Sequence, residues 1–373
     1  MRGGGRESTI SEQTTSPSSL RGGGGGEGHL PHDALPRAVM CAGGPDEPLR
    51  AASVCSREPP GGRCASPGLG RGGRCPSKAT IHGKTVIITG ANTGIGKETA
   101  RELARRGGRV ILACRDLAKC EAAAREIRGD TLNHRVDARP LDLASLSSVR
   151  AFAKQIVEEE ERVDILINNA AVMRCPHWTT EDGFEMQLGV NHLGHFLLTN
   201  LLLEKLRASG ASRVISVSSL AHAAGHVDFE DLNWERRPYE PRAAYCQSKL
   251  AQLLFTRELS RRLQGTRVTA NSLHPGVAST ELGRHTALRN SAFSSTVLGP
   301  FFWLLVKTPS LAAQPSVYLA VAPELSDVSG KYFDAFREKP PAAQAQDDEA
   351  ARKLWAHSAR LVGLEEAAGS SGA

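Results

Sequence analysis

The chain has 373 residues and a formal charge of +6, from 46 basic and 40 acidic side chains, with 40% hydrophobic residues. That length allows a large core, while so modest and dispersed a charge argues against a nucleic-acid binder. No run reaches the roughly 18–20 apolar residues of a membrane-spanning helix, and no signal peptide is visible.

Residues 1–75 hold 17 of the 37 glycines, 8 of the 20 prolines and no Phe, Tyr or Trp. Such a segment cannot bury enough apolar surface to offset its ordering entropy, so it reads as a disordered leader. RGG recurs at Arg2, Arg21 and Arg71, but without the interleaved aromatics that stack on bases, so no nucleic-acid partner is expected. The leader's Cys41, Cys55, Cys64 and Cys75 lack zinc-site spacing, and Cys114, Cys120, Cys175 and Cys246 read as free thiols in a reducing compartment.

From residue 76 the composition is globular, and a Rossmann-type domain is expected over 76–340, followed by a C-terminal helix and tail over 341–373. KTVIITG (84–90) reads as a buried strand, and a helix follows over 94–107. Strand RVILAC (109–114) precedes a helix over 116–128, and RPLDL (139–143) ends a third strand before a helix over 145–161. VDILINN (163–169) is a fourth strand, followed by one long helical stretch over 185–207. SRVISVSS (212–219) is a fifth strand, 243–264 a helix, and RVTANSLHPG (267–276) a sixth strand. The rhythm breaks over 277–308, helix returns at 309–322, and GKYF (330–333) reads as an edge strand. Short apolar strands alternating with helical crossovers specify an α/β, doubly wound parallel sheet of Rossmann type.

Between the first strand and first helix lies TGANTGIG, with Gly90, Gly94 and Gly96 flanking Asn92, Thr93 and Ile95. Glycines there let the backbone turn tightly and approach a pyrophosphate seated on the helix N-terminus. An acid at the end of the second strand would select NAD; Arg115 stands there instead, suited to the 2′-phosphate of NADP(H), with Asp116 beside it. In the last long helix, Tyr245 and Lys249 are four residues apart and share a face, an arrangement suited either to packing or to acid–base chemistry. His192, His195, His222, His226 and His274 fall on separate elements without thiol or carboxylate spacing, so no metal site is expected.

TGANTGIG, LDLAS, NNAA, NHLGHF, SVSS, YCQSK and HPG follow one another as in the short-chain dehydrogenase/reductase family, which the chain resembles over about residues 80–335. ACRDLAKCEAAAREIRGDTLNH, MRCPHWTTEDGFEMQ and LHPGVASTELGRH make it similar to that family's retinol dehydrogenase branch. The resemblance implies that Asp142 meets the adenine, that Asn168 and its neighbours line the cofactor, and that Pro275, Gly276 and Thr280 contact the nicotinamide end. It further implies that Asn191, Ser219, Tyr245 and Lys249 are catalytic. Tyr245 would exchange the proton, with its pKa lowered by Lys249, while Ser219 would bind the substrate oxygen and Asn191 would hold a water leading from Lys249 to solvent. The expected reaction interconverts retinol and retinal with NADP(H), running towards retinal reduction. The alternatives are reduction of other lipid aldehydes or ketones, and an NADPH-binding scaffold.

The segment 277–308 would shape the substrate pocket, and its apolar, aromatic stretch FSSTVLGPFFWLLVK (293–307) suits a long hydrophobic substrate and a peripheral membrane surface. The resemblance also implies a homodimer paired through long helices, and an intracellular site at the mitochondrial inner membrane or endoplasmic reticulum. The chain departs from the family at Ala171, where the family has glycine, and in carrying the Gly-rich leader where relatives have a hydrophobic anchor.

Overall fold

The computed structural model describes residues 73–276 and 308–364; the expectations for the rest of the leader, for most of the substrate segment and for Thr280 lie outside the described residues. All five residues of β1 (Thr85–Thr89) are buried, as a strand covered on both faces requires. It pairs in parallel with β2 (Arg109–Cys114), which carries β3 (Val136–Pro140) on its far side, and with β4 (Ile165–Asn168). With β5 (Ser212–Val217), β6 (Val268–His274), β7 (Tyr332–Asp334) and β8 (Arg337–Lys339), the sheet order is β3-β2-β1-β4-β5-β6-β7-β8. Every pair is parallel except β7–β8. The chain direction across the sheet reverses between β1 and β4, which opens a crevice at the carboxyl ends of the strands. This is the doubly wound Rossmann-type fold expected from the alternation.

The crossovers are α1 (Gly94–Arg105), α2 (Leu117–Thr131), α3 (Leu146–Glu159), the short pieces α4 (Met186–Leu188), α5 (Gly194–Leu201) and α6 (Leu203–Ala208), and α7 (Pro241–Arg262). Among the described residues two further helices follow, α8 (Pro309–Val321) and α9 (Asp348–Leu361). Alternate strand residues face opposite sides. Val86, Ile88, Leu112 and Ile167 pack with α1, α2 and α8, while Ile87, Ile111, Leu166 and Val214 pack with α3, α5, α7 and α9. On the second side Trp355 of α9 meets Phe196 edge-on at 4.9 Å and stacks on Phe255 at 5.8 Å, covering α5 and α7.

Four local expectations change. The third strand ends at Pro140 rather than 143; as the sheet's edge it tolerates a proline, and beyond buried Val136 its residues are half-buried or exposed. The stretch expected as one helix over 185–207 is interrupted by a π-helical turn, Gly189–Leu193, and again at Leu202. Tyr332–Asp334 is not the edge, because the exposed Arg-Glu-Lys of β8 pairs outside it; three charged residues carry no strand pattern, yet charge is what protects a sheet edge. Finally, Cys114 and Cys120 form a disulfide rather than free thiols. The turn from β2 into α2 brings their Cα atoms to 6.0 Å, within bridging range, so these thiols no longer argue for a reducing compartment.

Candidate active site

The nucleotide loop is built for close backbone approach. Gly90 has φ +64°, and a methyl on it would lie 2.9 Å from Ala170. A methyl on Gly96 would lie within 2.4 Å of the Gly90 carbonyl oxygen and 2.6 Å of the Asn169 amide. Thr93 precedes α1 but makes no side-chain cap hydrogen bond, so the first-turn N–H groups keep their donors for a ligand. Asn92, Gly94 and Ile95 are half-buried along the loop, and Thr93 is exposed. A pyrophosphate fits this donor set, and the glycines leave the space it needs.

The remaining predicted cofactor residues sit at or just beyond the carboxyl ends of neighbouring strands. Arg115, past β2, is exposed and makes no ion pair among the described residues. Asp116 is committed elsewhere: it caps α2 by accepting from the Lys119 N–H at 3.1 Å and pairs with the Lys119 ammonium at 2.8 Å. Asp142 lies past β3, where its Oδ1 accepts from the Ala144 N–H. Asn168 ends β4 and donates to the Thr199 hydroxyl at 3.0 Å, leaving its own buried Oδ1 without a partner. Pro275 and Gly276 follow β6, with Gly276 at φ +90°. Ala171 is half-buried beside Ala170, the residue that abuts Gly90.

Ser219, just past β5, opens a short 3-10 turn and accepts from the Ala221 N–H at 3.2 Å. That turn packs so tightly on α7 that a methyl on Gly225 would lie 2.6 Å from the Cys246 carbonyl oxygen. The contact sets Ser219 near Tyr245, and its hydroxyl favours the phenolate form of that residue. Tyr245, Lys249 and Asn191 are buried at 6%, 2% and 0% exposure, so desolvation governs their chemistry. Burial pushes the phenol up to about 12, against the opposing pull of Ser219 and the Arg174 guanidinium. Burial also pushes Lys249 down to about 7. Its Nζ stands 5.6 Å from the Tyr245 ring centre. Among the protein's own groups burial thus dominates the phenol, while the lowering expected from Lys249 draws also on the positive nicotinamide that a bound oxidised cofactor would bring.

Asn191 occupies the π-helical turn, a feature frequent at functional sites. Its side chain is anchored three times: Oδ1 accepts from the Val172 N–H, while Nδ2 donates to the Val172 carbonyl and to Ser248 Oγ. Its carbonyl accepts from Gln252 Nε2 at 2.9 Å and from His195 Nδ1 at 3.0 Å, which fills both lone pairs. Gln252 and His195 thus occupy the Asn191 carbonyl, while Asn191 Oδ1 keeps a second lone pair.

Several residues that sequence reasoning passed over complete the site. His195 must carry its proton on Nδ1, facing a carbonyl that can only accept, and Nε2 then accepts from the Thr89 hydroxyl at 2.8 Å. Thr89 Oγ1 in turn accepts from the Asn169 and Ala170 N–H groups, tying the end of β1 to the loop after β4. Arg174, at φ +51°, acts on both Tyr245 and Cys246. Gln252 bridges Lys249 to Asn191. Only Gln252 had a visible signal, one turn beyond Lys249 on the same helix face. His192 instead meets Ser358 of α9, a packing role. Among the described residues, no group of His, Cys, Asp and Glu is placed to hold a metal ion.

A family model described as short chain dehydrogenase matches residues 84–290. Retinol dehydrogenase 13 of Homo sapiens is 76% identical over 294 residues, spanning 79% of this chain and 89% of that protein. Among solved structures, a protein of uncharacterised function from Mycobacterium paratuberculosis is 41% identical with a TM-score of 0.62, covering 76% of this chain and 95% of that one. The RhlG/NADP active-site complex of Pseudomonas aeruginosa is 25% identical with a TM-score of 0.56, covering 68% of this chain and 95% of that one.

Proposed function

The chain belongs to the short-chain dehydrogenase family and is an oxidoreductase by that membership, and we propose that it interconverts retinol and retinal with NADP(H), running chiefly as a retinal reductase. The buried Tyr245 phenol, with Lys249 Nζ 5.6 Å from its ring centre and the Ser219 turn packed against the same helix, carries this reading. Retinal as the substrate class comes from the likeness to retinol dehydrogenase 13. The NADP(H) preference rests on Arg115, which makes no ion pair among the described residues, while Asp116 caps α2 and pairs with Lys119. The NADP-bound RhlG relative is consistent with it.

Bound in the crevice, NADPH would supply the hydride. Gly90, Gly94 and Gly96, with Asn92, Thr93 and Ile95, would hold its pyrophosphate; Arg115, Asp142 and Asn168 would hold its adenosine side, and Pro275 and Gly276 its nicotinamide end. The chain's own groups then manage the oxygen and its proton. Ser219 donates a hydrogen bond to the carbonyl oxygen and stabilises the charge that develops there. Tyr245 delivers the proton. With a pKa of about 12 the phenol keeps its proton at neutral pH, as a donor must, and Lys249 at about 7 is balanced to replace it. Arg174 and the charged form of Lys249 both favour the transient phenolate. Asn191 holds the shape of the turn through its bonds to Val172 and Ser248.

Among the described residues no helix is long and apolar enough to cross a membrane. A retinoid resides in lipid, so we place the enzyme at a membrane surface, with the apolar sequence 293–307 as its contact. The test is NADPH consumption by the purified protein with all-trans-retinal in mild detergent, beside a medium-chain lipid aldehyde. Preferred turnover of retinal supports the assignment, and turnover of the aldehyde alone would redirect it.

A further inference from the structure

We propose that Gln252 is a positioning residue of the active site, whose side-chain amide ties Lys249 to the Asn191 carbonyl in the bridging place expected of a water. The inference rests on the oxidoreductase reading above. Lys249 Nζ donates to Gln252 Oε1 at 2.9 Å and to the Val217 carbonyl at 3.1 Å. Gln252 Nε2 donates to Asn191 at 2.9 Å. Gln252 is 1% exposed, so solvent does not compete for these bonds.

An amide in this place does two things that a water does not. It fixes the ammonium by a side chain that is itself anchored, so Lys249 faces Tyr245 in one geometry. It also interrupts proton transfer, since a primary amide accepts on oxygen and donates from nitrogen without readily passing a proton between them. Lys249 therefore exchanges protons on its Tyr245 side and not through the π-helical turn. Gln252 Oε1 stabilises the charged amine specifically, and so sets its proton affinity.

The surroundings leave this bond as the adjustable one. The titratable groups facing Lys249 are Tyr245 on its own helix and His195 from α5, whose charged form Lys249 disfavours. β5 contributes the uncharged Val217 carbonyl, and His222, from the turn after β5, bonds to the Ser219 carbonyl. Arg174, from the loop after β4, acts on Tyr245 and Cys246. Burial lowers Lys249, and among the described residues no carboxylate pairs with it to offset that, so the Gln252 bond is the one left to adjust it.

The test compares Gln252→Leu and Gln252→Glu, both close in size, by the pH profile of kcat for retinal reduction. Removing the acceptor disfavours the charged amine, so the alkaline limb moves down by about one pH unit; a carboxylate favours it, and the limb moves up by a similar amount. Gln252→Asn, with a shortened amide, falls between Leu and wild type. NMR titration of the labelled Lys249 amine in the same proteins reads the same displacement without turnover. A wild type inactive on retinal but showing these opposite titration shifts would fail the substrate assignment and keep this inference. Limbs and titrations that stay in place, or move together, in the Leu and Glu variants would overturn it. If the Glu variant does not fold, the downward shift in the Leu variant decides.

Discussion

Gly225 sits against the backbone of helix α7 at Cys246, so close that a single methyl would lie 2.6 Å from the Cys246 carbonyl oxygen and 2.8 Å from Leu250 Cβ. This contact connects the turn that opens at Ser219 to the helix that carries Tyr245. Backbone atoms cannot yield as a flexible side chain does, so Gly225→Ala must push the turn outwards. The expected result is a fall in kcat on the order of a hundredfold, the scale of a 1 Å misplacement. NADPH affinity, measured by fluorescence titration, stays at the wild-type value because the nucleotide loop lies elsewhere. Wild-type kcat in this variant would show that the turn does not position Ser219.

Arg115, beyond β2, makes no ion pair among the described residues, and Asp116 is held by Lys119. Arg115→Ala should raise the KM for NADPH roughly ten- to a hundredfold, the worth of one hydrogen bond to a charged group, and leave the KM for NADH unchanged. Steady-state kinetics with both cofactors check this. Equal changes for the two would remove Arg115 from cofactor selection.

His195 gives the fold a defined acid sensitivity. Burial pushes its pKa from the ordinary 6.5 down to about 4, and the neighbouring His192 goes down to about 3. The folded state thus binds fewer protons than the unfolded one, so this stability is fully present above about pH 6.5 and is lost as pH falls towards 4. Urea unfolding between pH 7.5 and 4.5 should show stability falling with pH, and less steeply in His195→Gln. Parallel slopes in the two proteins would contradict the assignment.

The sequence made legible whatever depends on local pattern. The runs at Val86–Ile88 and Val110–Leu112 are β-branched or apolar throughout, because both sheet faces are covered, and that alone points to the parallel architecture. Gly90 and Gly96 were readable because no other residue fits a backbone packed to within 3 Å. The π-helical turn at Asn191 was hidden, since inserting a residue into a helix changes the hydrogen-bonding ring and not the hydrophobic pattern. The Cys114–Cys120 bridge was hidden because the turn geometry between them decides whether they meet. The Thr89–His195 pair joins residues 106 apart in the chain, and nothing in either neighbourhood announces the other. The burial of Tyr245 and Lys249 was also hidden, because spacing reports which groups share a face and says nothing of how deeply they are buried.

Tyr245→Phe tests the central claim most directly, because it removes one oxygen and leaves the packing of α7 in place. NADPH oxidation with all-trans-retinal should fall at least a hundredfold, as losing the group that transfers the proton requires. The affinity for NADPH should not change. Turnover in Tyr245→Phe equal to that of wild type would contradict the assignment of Tyr245 as proton donor, and with it this account of the site.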